Sequence, residues 1–447
     1  MNKKTVSFIT LGCKVNTAET EGMKRLFRDS GYSVLGEGLA SDVYIINTCT
    51  VTNMGDRKSR QMLRRAHALN PEAIIAAVGC FAQVSPEEAA KIEGVSLVVG
   101  NNLKGRIVEL VEEAMSERGS SRVRVEERRN LTEFEELPVE AYDGQTRAFL
   151  KIQDGCNQFC SYCIIPYARG PIRSRSFAEA LEEAKRFADK GFKEVVLTGI
   201  HLTSYGDEKE KTGLLNLIEA VHEIEGLERI RLGSLEPLFL SETFIKGAGT
   251  LPKLCPHYHI SLQSGSGGVL KRMNRRYTTE EYRSIVTLLK THIPDVAITT
   301  DVMVGFPGET EAEFQESLDF CKEMAFSWAH IFKYSPRKGT PAAQYKEQVA
   351  PELKEERSRR MLNVAVENRE AFYRGFMGRT LPVLLEKEIK EGIYEGFTPN
   401  YIPIKVEATA ETLAGGTVVN VALKGIEGDT MTGIVRQGDY CNLFKLI

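Results

Sequence analysis

Short apolar runs rich in β-branched residues alternate with amphipathic stretches from the start of the chain. TVSFITLG, SDVYIINTC, AIIAAVGC and VSLVVG read as strands, and Ala18 to Ser30 and Asp56 to Ala68 between them carry apolar residues at helical spacing. Strands separated by helices run parallel, so residues 1–115 predict an open parallel α/β sheet. From Ser116 to Gly144 the periodicity lapses into the polar stretch SERGSSRVRVEERRNLTEFEELPVEAYDG, read as a linker over residues 116–144. A second alternating series follows: RAFLKIQDG, EVVLTGI, RIRLGS, YHISLQ, VAITTDVMVGFP and WAHIFKYS. These six strand-helix units are too few for the eight-unit closed barrel and predict a partial (β/α)6 barrel over residues 145–378, with function at the C-terminal strand ends. A long charged helix, about Pro351 to Phe376, ends that series. Beyond it LPVLLEKEI, IPIKVEA and TVVNVALKGIE, punctuated by glycines, predict a small antiparallel β-barrel over residues 379–447.

Composition adds limits rather than detail. A chain of 447 residues exceeds what one core serves, which agrees with several domains. With 42% apolar and 27% charged residues and a net charge of -3, nothing global announces nucleic acid or membrane, so any such preference is local. Nine cysteines do not suit a disulfide framework and point to a reducing compartment with metal-binding or catalytic thiols. The opening MNKKTVSFITLGC mimics a lipoprotein signal ending in Leu-Gly-Cys, but its apolar run is short and carries hydroxyl residues, so it reads as the first strand. No segment approaches a membrane span, and a cytoplasmic location is expected.

The chemistry gathers in DGCNQFCSYCIIPYARG, where Cys156, Cys160 and Cys163 follow a strand closely enough for one loop to wrap them around one metal centre. Soft thiolates select zinc or iron-sulfur clusters. A structural zinc needs four ligands, and no second CxxC or nearby histidine completes the set, which favours a 4Fe–4S cluster held by three cysteines. One iron is then left open for reaction, and Tyr162 adds an aromatic neighbour.

CNQFCSYC resembles the signature of radical S-adenosylmethionine (SAM) enzymes. The resemblance implies that the open iron binds the amino and carboxylate groups of SAM, and that one electron cleaves the sulfonium to methionine and a 5′-deoxyadenosyl radical. The scattered thiols Cys13, Cys49 and Cys80 each end a predicted parallel strand, where an open sheet converges on one crevice, and suggest a second three-thiolate cluster. Cys255, Cys321 and Cys441 share no such geometry and read as structural.

Two three-cysteine sets before a small barrel resemble the methylthiotransferases, which insert sulfur and a methyl group at an unactivated C–H bond. The likeness spans the chain through TLGCKVN, INTCTVT, VGCFAQ, CSYCIIPYARGPIRSR, LTGIHLTSYG, GSLEP, SLQSGS and TDVMVGFPGET. GCKVN and LKIQDGCNQFCSYCIIPYARG are most similar to the branch that modifies N6-threonylcarbamoyladenosine in tRNA. The isopentenyladenosine and ribosomal-protein branches are alternatives, as is, from another class, a non-catalytic iron-sulfur RNA sensor. The last domain resembles a TRAM domain, an RNA-binding module.

The resemblance implies that Cys156, Cys160 and Cys163 hold the SAM cluster and Cys13, Cys49 and Cys80 an auxiliary cluster that carries the sulfur. It implies Thr198 and Gly199 at the methionine end of SAM, Glu236 and Gln263 as polar contacts, and Val304 within VMVGFP beside the adenine. Two SAM molecules would be used, one to methylate the sulfur and one to make the radical. The implied partners are a tRNA anticodon stem-loop, an electron donor and a sulfur source.

Three segments are locally basic: RKSRQMLRR (Arg57 to Arg65), RGPIRSR (Arg169 to Arg175) and KRMNRR (Lys271 to Arg276). The two loops follow cluster and strand-end motifs, which favours Arg275 and Arg276 as phosphate contacts over the helical RKSRQMLRR. The target base must be unstacked to reach a radical, and Tyr167, Arg173 and Arg175 are candidates to hold it.

Overall fold

The computed structural model describes residues 3–117, 122–207, 212–408 and 413–435. The N-terminal sheet is parallel throughout, in the order Ser33–Leu35, Thr5–Thr10, Val43–Thr48, Ile74–Gly79, Val95–Val99 and Arg122–Arg124. The central strands Val43–Thr48 and Ile74–Gly79 are buried along their whole length, because helices cover both faces. The last strand comes from the segment expected to be a linker. Leu131, Leu137, Val139 and Tyr142 of that segment are also buried, so it is packed connection rather than solvated tether.

Six parallel strands form the central unit, as the pattern predicts: Arg147–Lys151, Glu194–Thr198, Arg229–Leu232 with its continuation Ser234–Leu235, His257–Ile260, Ala297–Val304 and Trp328–Lys333. The sheet breaks at Gly233, so two shorter sheets share the third strand's chain. The long helix Pro351–Arg374 packs against the last strand. The helix Lys14–Asp29 of the first domain lies against the first central strand, so the open side of the half-barrel faces the N-terminal sheet.

The C-terminal unit is a closed five-stranded barrel. It departs from the expected antiparallel design in one seam: Pro403–Glu407 pairs parallel with Thr430–Val435. Its core of Val383, Leu385, Ile404, Val406, Val421 and Met431 extends to Tyr373 and Phe376 at the end of the long helix. Cys441 lies outside the described residues. No helix among the described residues is long and apolar enough to cross a membrane.

Candidate active site

The loop that carries three cysteines is closed at its base. Gln153–Asp154 pairs antiparallel with Arg173–Ser174, and the Cys156 N–H donates to the Gly170 carbonyl at 3.1 Å. Gly155 has φ of +75°, and a Cβ there would lie 1.8 Å from the Pro171 oxygen, so only glycine admits this turn. Inside the loop the Gln158 N–H points at Cys156 Sγ (3.4 Å), and Arg275 Nη1 lies 3.3 Å from Cys160 Sγ. Burial first, and Cys160 second, push the Cys163 thiol up to about 12. Cys156 is pushed up to about 11 by burial, with Cys160 again adding. Thiols held this high keep their protons at neutral pH, so the irons of a cluster would have to displace those protons and supply the positive charge that three buried thiolates need.

Cys13, Cys49 and Cys80 meet although 36 and 31 residues separate them along the chain. Gly12 sits at φ +106°, and a Cβ there would come within 3.2 Å of Cys49 Sγ, so the strand end carrying Cys13 closes directly on Cys49. Burial raises the Cys49 thiol, and Cys80 and Cys13 raise it further. Cys13 lines the cavity inside the half-barrel, and desolvation raises its thiol too. Among the described residues no three His, Cys, Asp or Glu side chains close on a single bare ion. In a cubane cluster each thiolate takes its own iron, which needs a wider spread than a single-ion site.

Arg169 joins the two sets. It stands six residues after Cys163, is fully buried, and places Nε 3.2 Å from Cys80 Sγ. Its remaining nitrogens donate to Glu19 (2.5 Å), Asp154 (3.2 Å) and Asn16 (2.5 Å). Glu19 also pairs with Lys104 (3.1 Å) and Lys151 (2.8 Å), and Asp154 with Lys151 (2.8 Å) and Arg173 (3.4 Å). The six charged side chains are each at most 8% exposed. Even counting Glu135, the next acid out, cations outnumber carboxylates. A buried positive surplus against Cys80 fits an anionic thiolate-bound cluster. The loop after Cys49 is pinned from the central unit as well: Arg337 donates to Asp56 (2.5 Å), Asn53 (3.1 Å) and Thr50.

A cavity of about 730 Å³ occupies the half-barrel's interior. Cys13 and Lys14 form one wall, His257, His259, His330 and Asp301 a second, and Phe397 and Tyr401 of the C-terminal barrel a third. Cys156, Cys160 and Cys163 do not line it.

Several expected contacts are placed differently. Arg173 is buried and donates to the carbonyls of Leu131, Arg169 and Pro171, so it braces the loop rather than a base. Arg175 is held by Glu183 (2.8 Å) and Glu136 (2.7 Å). Arg275 is only 5% exposed and pairs with Glu236 at 2.7 Å, so it serves the cluster loop and not a phosphate surface; Glu236 is correspondingly engaged. Val304 is a core residue 1% exposed. Strand alternation turns its neighbour Met303 the other way, toward the cluster of Tyr162 and Phe306. Thr198 ends its strand, buried, and Gly199 leaves no room for a side chain beside Gln153. Gln263 holds φ of +65° and exchanges backbone hydrogen bonds with Asp301 and Met303. Arg276 and Tyr167 are exposed as expected. Missed from sequence were Arg169's bridging role, Glu19 on the buried face of its helix, Arg337, and His201, which lies 3.2 Å from Gln158 in the cysteine loop. A charged residue inside an apolar periodic face is the one signal that could have flagged Glu19.

A three-cysteine loop at the first strand end of a six-strand parallel half-barrel defines the radical SAM class. Residues 150–321 match the Radical SAM superfamily, and residues 5–100 match a family described as uncharacterized protein family UPF0004. The chain is 41% identical over 428 residues to threonylcarbamoyladenosine tRNA methylthiotransferase MtaB of Bacillus subtilis, covering 94% of this chain and 93% of that protein. It is 36% identical over 445 residues to tRNA-2-methylthio-N(6)-dimethylallyladenosine synthase of Acetivibrio thermocellus, covering 97% and 92%. The chain belongs to the radical SAM methylthiotransferase family, and its cofactors are SAM and 4Fe–4S clusters. In fold alone it is similar to the radical SAM methyltransferase TsrM of Kitasatospora setae, with a TM-score of 0.58, 15% identity, and 76% of this chain and 77% of that one covered.

Proposed function

We propose that the protein is a tRNA methylthiotransferase that converts N6-threonylcarbamoyladenosine beside the anticodon to its 2-methylthio derivative. The observation that carries this reading is the pair of three-cysteine sets tied together by Arg169, an arrangement that suits a radical source and a sulfur carrier acting on one atom. The threonylcarbamoyl substrate is supported by 41% identity to relatives named for it, against 36% to one named for dimethylallyladenosine.

Bound SAM and clusters supply a 5′-deoxyadenosyl radical and a transferable methylthio group. Cys156, Cys160 and Cys163 would hold one cluster, and Cys13, Cys49 and Cys80 the other. Arg275 donates to Cys160 and fixes Glu236, which keeps a polar group at the third strand end. Arg169 and Arg337 tie the domain that carries Cys13, Cys49 and Cys80 to the unit that carries Cys156, Cys160 and Cys163. This chemistry calls for an electron donor and a sulfur source as partners, and a tRNA substrate supports a cytoplasmic location.

For RNA, the exposed Arg57, Lys58, Arg64 and Arg65 on helix Asn53–Leu69 have no ion pair among the described residues. Lys271 and Arg276 are exposed likewise. Tyr167 packs edge-on to Phe159 at 5.8 Å with Arg128 over both rings, a platform suited to an unstacked base. Replacing Arg57, Lys58, Arg64 and Arg65 by alanine should weaken tRNA binding and lower its salt slope by about one per phosphate contact removed. A binding titration across salt with an unchanged slope would return that face to ordinary solvated surface.

The reading is tested by mass spectrometry of tRNA nucleosides from cells with and without the protein. Loss should fall on the 2-methylthio derivative of threonylcarbamoyladenosine, with its precursor accumulating. Loss of the isopentenyl derivative instead would move the enzyme to the other branch.

A further inference from the structure

The interior cavity holds an unpaired cation beside the auxiliary cysteines. Lys14 follows Cys13 directly, is half-buried and lines the wall, yet no ion pair or hydrogen bond of its ammonium is present among the described residues. The guanidiniums nearest it are already neutralised: Arg147 by Glu386 at 2.7 Å and Arg231 by Glu194 at 2.7 Å. Of the two acids in the wall, Asp301 pairs with His259 at 3.3 Å, and Asp429 sits exposed at the rim. A second polar group also lacks a partner. His257 is 6% exposed, shares a hydrogen bond between Nε2 and the Thr299 hydroxyl at 3.1 Å, and has no partner for Nδ1 among the described residues. Burial and Arg231 hold its imidazole well below the usual range, so it is neutral and can exchange one hydrogen bond with a ligand. The rest of the wall is flat and aromatic, with His257 against Tyr401 at 4.7 Å and Tyr401 stacked on Phe397 at 4.7 Å.

We propose that this cavity is the subsite for the amino-acid appendage on N6 of the target adenosine, with the Lys14 ammonium taking its carboxylate and His257 a neighbouring polar atom. The proposal rests on the threonylcarbamoyl reading above and adds how that substrate is chosen. C2, where sulfur arrives, is a carbon of the six-membered ring, and N6, where the appendage hangs, is the exocyclic nitrogen on C6 of that ring, so only N1 and C6 separate them. The appendage pocket must therefore open within a few ångströms of the sulfur carrier, and Cys13 lines this one. A free carboxylate and hydroxyl need a cation and hydrogen-bonding partners, whereas an isopentenyl group needs neither. Lys14 lies within GCKVN and comes from the N-terminal domain, His257 from the half-barrel and Tyr401 from the C-terminal barrel, so all three domains contribute to specificity.

The test uses anaerobically reconstituted full-length enzyme and three anticodon stem-loops that differ only at the target base: threonylcarbamoyladenosine, its neutral carboxamide, and unmodified adenosine. Wild type should bind the acid about 10- to 100-fold more tightly than the carboxamide, the range of one hydrogen bond to a charged group. Lys14→Met should erase that difference by weakening only the acid, at unchanged iron content, and Lys14→Arg should keep most of it. Equal binding of acid and carboxamide by wild type, which needs no variant, overturns the proposal while methylthiolation of the acid leaves the substrate reading standing. Equal weakening of all three RNAs by Lys14→Met assigns the lysine to a phosphate and also overturns it. A wild-type enzyme that binds the acid no more tightly than unmodified adenosine and does not methylthiolate it overturns the substrate reading and this proposal together.

Discussion

Arg169→Met is expected to destabilise the protein by roughly 3–5 kcal/mol, the usual cost of breaking a buried ion-pair network from one side. With total stabilities of roughly 5–15 kcal/mol, that is a large share. The guanidinium satisfies Glu19, Asp154, Asn16 and Cys80 at once, and a thioether satisfies none of them. Glu19 keeps Lys104 and Lys151, so the network loosens rather than vanishes. Cys80 Sγ, by contrast, is stripped of the guanidinium beside it. Iron bound after reconstitution should therefore fall from about eight toward about four per chain, since one of two four-iron clusters loses its support. Arg169→Lys should recover only part of the loss, because one ammonium cannot reach four acceptors in the fork geometry of a guanidinium. Chemical denaturation with iron analysis checks this; a variant with the wild-type midpoint and full iron would show that the two sets stand independently.

The strands and their parallel order were legible because β-branched runs alternate with helical periodicity, and that pattern reports burial. The six cysteines were legible for two reasons. One set is crowded in a single loop, and the members of the other share strand-end positions. The parallel seam between Pro403–Glu407 and Thr430–Val435 was not, because strand direction within a small barrel depends on connections that leave no periodic trace. Nor was the sheet strand Arg122–Arg124 inside a charged segment, where pairing to a buried neighbour outweighs polar composition. The arginines misled most. A run of cations reads the same whether it faces phosphate or carboxylate, and Arg173, Arg175 and Arg275 each found an acid or carbonyl that lies far away in sequence or on another element. The helix face Arg57 to Arg65, which looked ordinary, carries exposed cations without an ion pair among the described residues. The cavity was illegible for the same reason: its walls run from Gly12 to Asp429, and only the folded chain brings them together.

The two cysteine sets should separate by chemistry. Cys156, Cys160 and Cys163 lie on one loop whose base is sealed by the Gln153–Asp154 and Arg173–Ser174 pair, so that site assembles without the N-terminal sheet's thiols. Cys13, Cys49 and Cys80 come from three strand ends, and removing one breaks the set. Cys160→Ala should abolish all SAM cleavage, since two thiolates, with Arg275 deprived of its sulfur acceptor, do not hold the cluster that delivers the electron. Cys49→Ala should leave that cleavage within a few-fold of wild type and reduce methylthiolated product to background. The measurement that decides the matter is an anaerobic assay of Cys49→Ala with reductant, SAM and a threonylcarbamoyladenosine stem-loop, following 5′-deoxyadenosine and the modified nucleoside together. Continued 5′-deoxyadenosine with no 2-methylthio product is the expected result; normal amounts of 2-methylthio product would contradict the N-terminal domain as sulfur carrier.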